Sequence, residues 1–177
     1  SLLRQRQMCI RDRDGTSWTE TNDLNTARKD MASHGAGGSN TDGLIFAGYT
    51  TTNIANTESW NGTSWTEVAE VNQEGYDRVG FSSSSGSTSS DGMVAGVAPG
   101  PASPGQDGST EIWNGTAWTE LNDMSTARFG GAPGGGTIGG VYGGGSTTSY
   151  GAGQSATEEF TISLSATTAG GWSSGGN

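Results

Sequence analysis

Short apolar runs recur along the chain, each hemmed in by glycine, aspartate or small polar residues. Leu44-Ile45-Phe46-Ala47-Gly48, Met93-Val94-Ala95-Gly96-Val97 and Ile138-Gly139-Gly140-Val141-Tyr142 are the clearest. They are too short for a helix face but suit a strand, and their unbroken apolarity predicts strands buried on both faces. Downstream of each run come segments in which Thr and Glu are set against single aromatics, such as Thr57 to Trp60 and Trp65 to Glu67. Asn61-Gly62 and Asn114-Gly115 separate two such segments. Asn-Gly tolerates the positive φ of a tight type I′ turn, so each pair predicts a short hairpin in fixed register.

The pattern is a repeat. Thr57 to Glu67 returns almost word for word as Thr110 to Glu120, and its tail also appears at Asp14 to Glu20. Trp18, Trp65, Trp118 and Trp172 mark one series, separated by 47, 53 and 54 residues. Asn22 to Arg28, Asn72 to Arg78 and Asn122 to Arg128 form a second. Glu58, Glu111 and Glu158, each followed two residues later by Trp60, Trp113 or Phe160, form a third. Each unit parses into four strands: one after the Arg (as in Arg128 to Ala132), one on the apolar run, one ending on the aromatic, and one carrying the marker Trp. Residues 14–20 read as the last strand of a preceding unit, and 21–68, 69–121 and 122–177 as three units.

Four antiparallel strands per unit of about fifty residues describe the blade of a β-propeller. The glycine-rich second strand, aromatic third strand, Trp in the fourth and Thr-Ala-Arg start of the next unit resemble a kelch-type repeat. The wording of the repeat resembles the kelch-like repeats of proteins encoded by marine viruses and their metagenomic relatives. Glycine pairing departs from the kelch pattern at Gly48-Tyr49 and Gly96-Val97, and only Gly143-Gly144-Gly145 shows it. The resemblance implies an all-β, kelch-type propeller and a non-catalytic binding module in a viral tail or other structural protein, placed in a virion or outside the cell. A purely structural spacer is the alternative, with a propeller enzyme completed by missing blades behind it. Closed propellers use about 4–8 blades. Three units and a strand therefore predict an open arc, cut at both ends, whose exposed terminal blades self-association would cover.

Composition narrows the partners. Glycine contributes 32 of 177 residues and apolar types only 30%, which suits short strands and many turns. Residues 1–13 hold Arg4, Arg6, Arg11 and Arg13 and the single cysteine, Cys9, and read as a non-native or disordered leader. Setting them aside leaves four basic residues against 17 acidic ones, a formal charge of −13 instead of −10. Such a body repels phosphate backbones, so no nucleic acid is expected, and no apolar run is long enough for a membrane span.

Catalytic constellations are thin. The resemblance extends to the galactose oxidase central domain, whose copper chemistry needs paired histidines and tyrosines and a Cys–Tyr cross-link; His34 and Cys9 are the only histidine and cysteine here. Asp14 to Trp18 has the wrong spacing for a sialidase Asp-box. Glu58, Glu111 and Glu158 recur once per unit, so they read as structural acceptors for Arg28, Arg78 and Arg128 rather than as a hydrolytic pair. Asp42-Gly43, Asp91-Gly92 and Asp107-Gly108 lack calcium-loop spacing and read as plain turns. No cofactor, metal or catalytic residue is expected. The indoles, Trp60 and Trp113 included, read as packing between units. The connections from strand two to strand three differ most between units, and antiparallel order sets them on one face with the entries to strand one. Tyr49, Asn53, Tyr76, Gln106, Asp107, Tyr150 and Gln154 are the candidate binding side chains on that face, for a protein or glycan ligand.

Overall fold

The computed structural model describes residues 20–33, 40–81, 89–98, 107–148, 151, 153–162 and 171–174. These form twelve strands and no helix, so no helix is long and apolar enough to cross a membrane. The first sheet comprises β1 (Ala32–Ser33), β2 (Gly43–Phe46), β3 (Thr57–Trp60) and β4 (Trp65–Val68). The second comprises β5 (Val79–Phe81), β6 (Gly92–Val97), β7 (Asp107–Trp113) and β8 (Trp118–Leu121). The third comprises β9 (Ala132–Gly136), β10 (Gly139–Gly143), β11 (Thr157–Thr161) and β12 (Gly171–Ser174). Each is a four-stranded antiparallel meander in chain order.

Two apolar cores weld the sheets together. Leu44 and Phe46 of the first meet Val94, Trp113 and Trp118 of the second, with Val71 from the connection between them. Phe81, Met93 and Ala95 of the second meet Tyr142 and Phe160 of the third, with Met124 from the next connection. Trp118 lies edge-on to Phe46 at 4.9 Å, and its indole N–H donates to Thr57 Oγ1 at 3.2 Å. Trp113 anchors the turn before β6 by donating to the Ser89 carbonyl, as Trp60 does to Asn40 before β2. The repeated aromatics are thus cement between and within sheets. Trp18 lies outside the described residues, and only the backbone of Trp172 is described.

Several expectations need correction. Only β6 is buried along its whole length; β2 and β10 alternate, because each sheet has one face that differs in cover from the other. In the first and third units the first strand begins after the arginine's turn, β1 at Ala32 and β9 at Ala132, whereas β5 starts at Val79, directly after Arg78. The Asn-Gly hairpins are not two-residue turns. Trp60 pairs with Trp65 and Trp113 with Trp118, leaving four-residue loops. In each, the Asn carboxamide oxygen accepts two backbone N–H groups at 2.9 Å, and only Gly62 and Gly115 take positive φ. The Asn side chain caps the loop, so its own backbone needs no left-handed conformation. Asp107 opens β7 rather than making a turn.

The glycine pairs fall into place on the structure. Ala47, Gly96 and Gly144 occupy one equivalent position, just past β2 and β10 and at the register shift inside β6, all with φ between 57° and 71°. At Gly96 an added Cβ would run into the Arg128 carbonyl, so a side chain is barred there by contact as well as by φ.

Candidate functional site

Each sheet contains one buried polar knot. The Glu58 carboxylate accepts the backbone N–H groups of Asn25 (2.8 Å) and Thr26 (3.2 Å), and the Arg28 guanidinium pairs with it. Arg28 also donates to the Ala47 and Asn56 carbonyls. Glu158 takes the N–H groups of Ser125 and Thr126 and pairs with Arg128 at 2.8 Å, while Arg128 holds the Gly144 and Ala156 carbonyls. Glu111 takes those of Asn72 and Gln73 and pairs with Arg78 at 2.9 Å. Every side chain in these pairs is at most 4% exposed. Burial pushes Glu58 and Glu158 up, but the surrounding N–H groups and arginines outweigh it and hold both below the ordinary glutamate value of 4.5. Burial lowers the basicity of Arg78, with Glu111 opposing it.

The knots also correct the repeat alignment. Asn72 performs the task of Asn25 and Ser125, not that of Asn22. The Tyr76 carbonyl accepts from Ala98, as Lys29 does from Tyr49 and Phe129 from Ser146. Tyr76 is therefore the counterpart of Lys29 and Phe129, and Gly75, not Arg78, stands where the other units have arginine. Arg78 reaches the knot from three residues further along.

The connections between second and third strands meet the entries to the first strands along one rim, as antiparallel order requires. Lys29 and Tyr49 exchange backbone hydrogen bonds at 3.0 and 2.9 Å, and Phe129 does the same with Ser146. Asp30, Asp77 and Gly130 run from sheet to sheet, the Asp77 N–H donating to the Asp30 carbonyl and that of Gly130 to Asp77. On this rim the half-buried rings of Tyr49 and Tyr76 touch edge to face, 5.6 Å between centroids, and the Lys29 ammonium sits 5.6 Å from the Tyr49 ring. Lys29 also approaches Asp30 at 3.5 Å. Burial and then the Asp30 charge raise the Asp77 carboxyl above its ordinary value, with Lys29 opposing.

Of the seven candidate side chains, Tyr49 and Tyr76 come together. Asn53 bridges to Tyr49 through the backbone but is 4% exposed, so it is buried rather than displayed. Asp107 accepts the Ser109 N–H at the mouth of β7 and helps raise the Asp123 carboxyl, after burial. Gln154 is exposed and donates its N–H to the Gly145 carbonyl within its own loop. Gln106 and Tyr150, like His34 and Cys9, lie outside the described residues. Sequence reasoning overlooked Lys29, Asp30 and Asp77; the charge on Lys29 in an acidic body was the available signal. Among the described residues no group of three or more His, Cys, Asp or Glu is placed to hold a metal ion.

No protein-family model matches the chain, and no curated protein matches it. Among solved structures, one described as "Structure of YjhT" is similar to it with a TM-score of 0.68 at 12% sequence identity. The match covers 92% of this chain and 50% of that one, so this chain spans about half the length of that structure. At this identity the likeness is one of fold.

Proposed function

We propose that the three sheets are successive blades of a kelch-type β-propeller and that the chain is a non-catalytic recognition module. Its ligand, a neutral glycan or a protein segment, binds the rim made by Lys29-Asp30, Tyr49 and Tyr76-Asp77. The repeated sheet-to-sheet junction and the likeness to a solved fold support the propeller reading, and the wording of the repeat supports a viral structural protein. The observation that carries the function is the Tyr49–Tyr76 pair, two half-buried phenol rings locked edge to face beside an ammonium and two carboxylates. Rigid aromatic faces supply contact area at little entropic cost, and flanking charges orient hydroxyl or amide groups. The repeated glutamates are engaged by backbone N–H groups and arginine, which supports an architectural role over hydrolysis.

A glycan array followed by calorimetry on the hits tests this. Tyr49→Ala and Tyr76→Ala each weaken binding by about tenfold or more, roughly 1.4 kcal/mol. Thr63→Ala, in the hairpin at the opposite end of the first sheet, leaves binding unchanged. Binding that survives both tyrosine substitutions moves the site off this rim, and absence of any ligand favours the spacer.

A further inference from the structure

The two junctions inside the molecule set out what each sheet face accepts. Toward the sheet that follows, the first sheet turns Leu44, Phe46 and Thr57, and the second Met93, Ala95 and Thr110, all at most 1% exposed. By register, the third sheet turns Val141, Gly143 and Thr157 the same way. There Val141 is 38% exposed and Thr157 is exposed. Toward the sheet that precedes, the second sheet turns Trp113 and Trp118, 2% and 6% exposed; Trp60 and Trp65 hold the same places in the first sheet and are only half-buried. One end of the molecule thus repeats the knob of the internal junction, and the other end repeats its socket.

We propose that a second copy of this chain covers both faces, the Trp65 face of each docking on the Thr157 face of the other, so that two chains close one ring of six sheets. The internal junctions specify the contacts. The Trp65 indole N–H donates to Thr157 Oγ1, as Trp118 does to Thr57 at 3.2 Å. The Leu24 N–H donates to the Ser155 carbonyl, as Val71 does to Ala55 at 3.1 Å and Met124 to Gly108 at 3.0 Å. The Asp30 N–H donates to the Gly130 carbonyl, as Asp77 does to Asp30 at 2.9 Å and Gly130 to Asp77 at 3.0 Å. Such a head-to-tail contact stays finite because the rotation closes. Two chains of charge −10 repel, and Val141 and Gly143 are smaller than Leu44 and Phe46, so the association is weak and strengthens with salt. The inference does not depend on any ligand at the rim.

Sedimentation velocity on the full chain, with reductant present so that Cys9 cannot cross-link copies, tests it. The expected result is a species of twice the 18.0 kDa chain mass whose population grows with concentration and toward about 0.5 M salt. Thr157→Arg and Val141→Arg alter exposed positions of the single chain, so they leave its circular dichroism intact. Each raises the dissociation constant about tenfold or more by burying an unpaired charge, whereas Thr63→Arg does not. A monomer at every concentration, a dimer indifferent to Thr157→Arg, or masses climbing past the dimer would each overturn the closed pair.

Discussion

Gly75 and Val97 have exchanged sizes with their counterparts. In the first and third units the equivalent pairs are Arg28 with Gly48 and Arg128 with Gly145. In the second, the Val97 methyl group occupies the space into which any side chain at 75 would project. Only one of the two positions can carry bulk, and the arginine that the knot still requires is supplied by Arg78. Overpacking a tight site costs about 1–3 kcal/mol. Gly75→Ala is therefore expected to lower the urea midpoint of the protein, and Gly75→Ala with Val97→Ala to recover most of that loss. If the second substitution only adds to the first, Val97 is not what excludes a side chain at 75. This residue-scale exchange is also why the arginine series misleads as a sequence ruler: the guanidinium is placed by the knot, and the backbone that delivers it is free to shift.

At the scale of the element, each knot fastens an entry turn, through two backbone N–H groups, to the third strand of the same sheet. The glutamates must be ionised to do this. Because Glu58 and Glu158 titrate below 4.5 when folded, their stabilisation is full above that ordinary value and is lost as pH falls through the lowered folded value. Asp77 has the opposite sign: raised above 3.8, it favours the fold at low pH and costs stability as pH rises through its folded value. Asp123, also raised, acts like Asp77. Each lowered glutamate, however, is held by two backbone N–H groups and a buried arginine, against burial and one neighbouring carboxylate at each aspartate, so urea midpoints measured from neutrality to about pH 2.5 fall on the acid side. Glu158→Gln strands Arg128, costs about 3–5 kcal/mol near neutrality, and leaves a shallower acid slope. A slope unchanged in that variant would remove the third knot from the account. The strands themselves were readable because a fifty-residue period and short apolar runs are local signals. The hairpin type was not, since the Asn carboxamide competes for the turn's N–H groups, and the exposure of Val141 was not, since it depends on what lies beyond the third sheet.

At the scale of the whole molecule, the three arginines among the described residues, Arg28, Arg78 and Arg128, are withdrawn from the surface. Of eight basic residues, four lie in residues 1–13 and three are buried against glutamates, so Lys29 is the one remaining, its side chain 70% exposed at the rim. Its acidic partners elsewhere have no surface cation to meet within residues 14–177, and the net charge of −10 is carried largely as mutual repulsion at the surface. Among the described residues, that distribution leaves the rim as the exposed place where an anionic group meets a positive charge, and it disfavours polyanions elsewhere. It also sets the response to salt. Screening weakens repulsion between exposed carboxylates but hardly touches pairs sealed from water. The melting temperature should therefore rise, by about 2–8 °C for a gain of roughly 1–2 kcal/mol, between very low salt and about 0.5 M sodium chloride. Scanning calorimetry at a concentration low enough to keep the chain monomeric reads this directly, and the Lys29→Gln variant should show an equal or larger rise. A melting temperature that falls with salt would mean that exposed attractions outweigh the repulsion, and that the three sealed arginine pairs are more open to solvent than their burial implies.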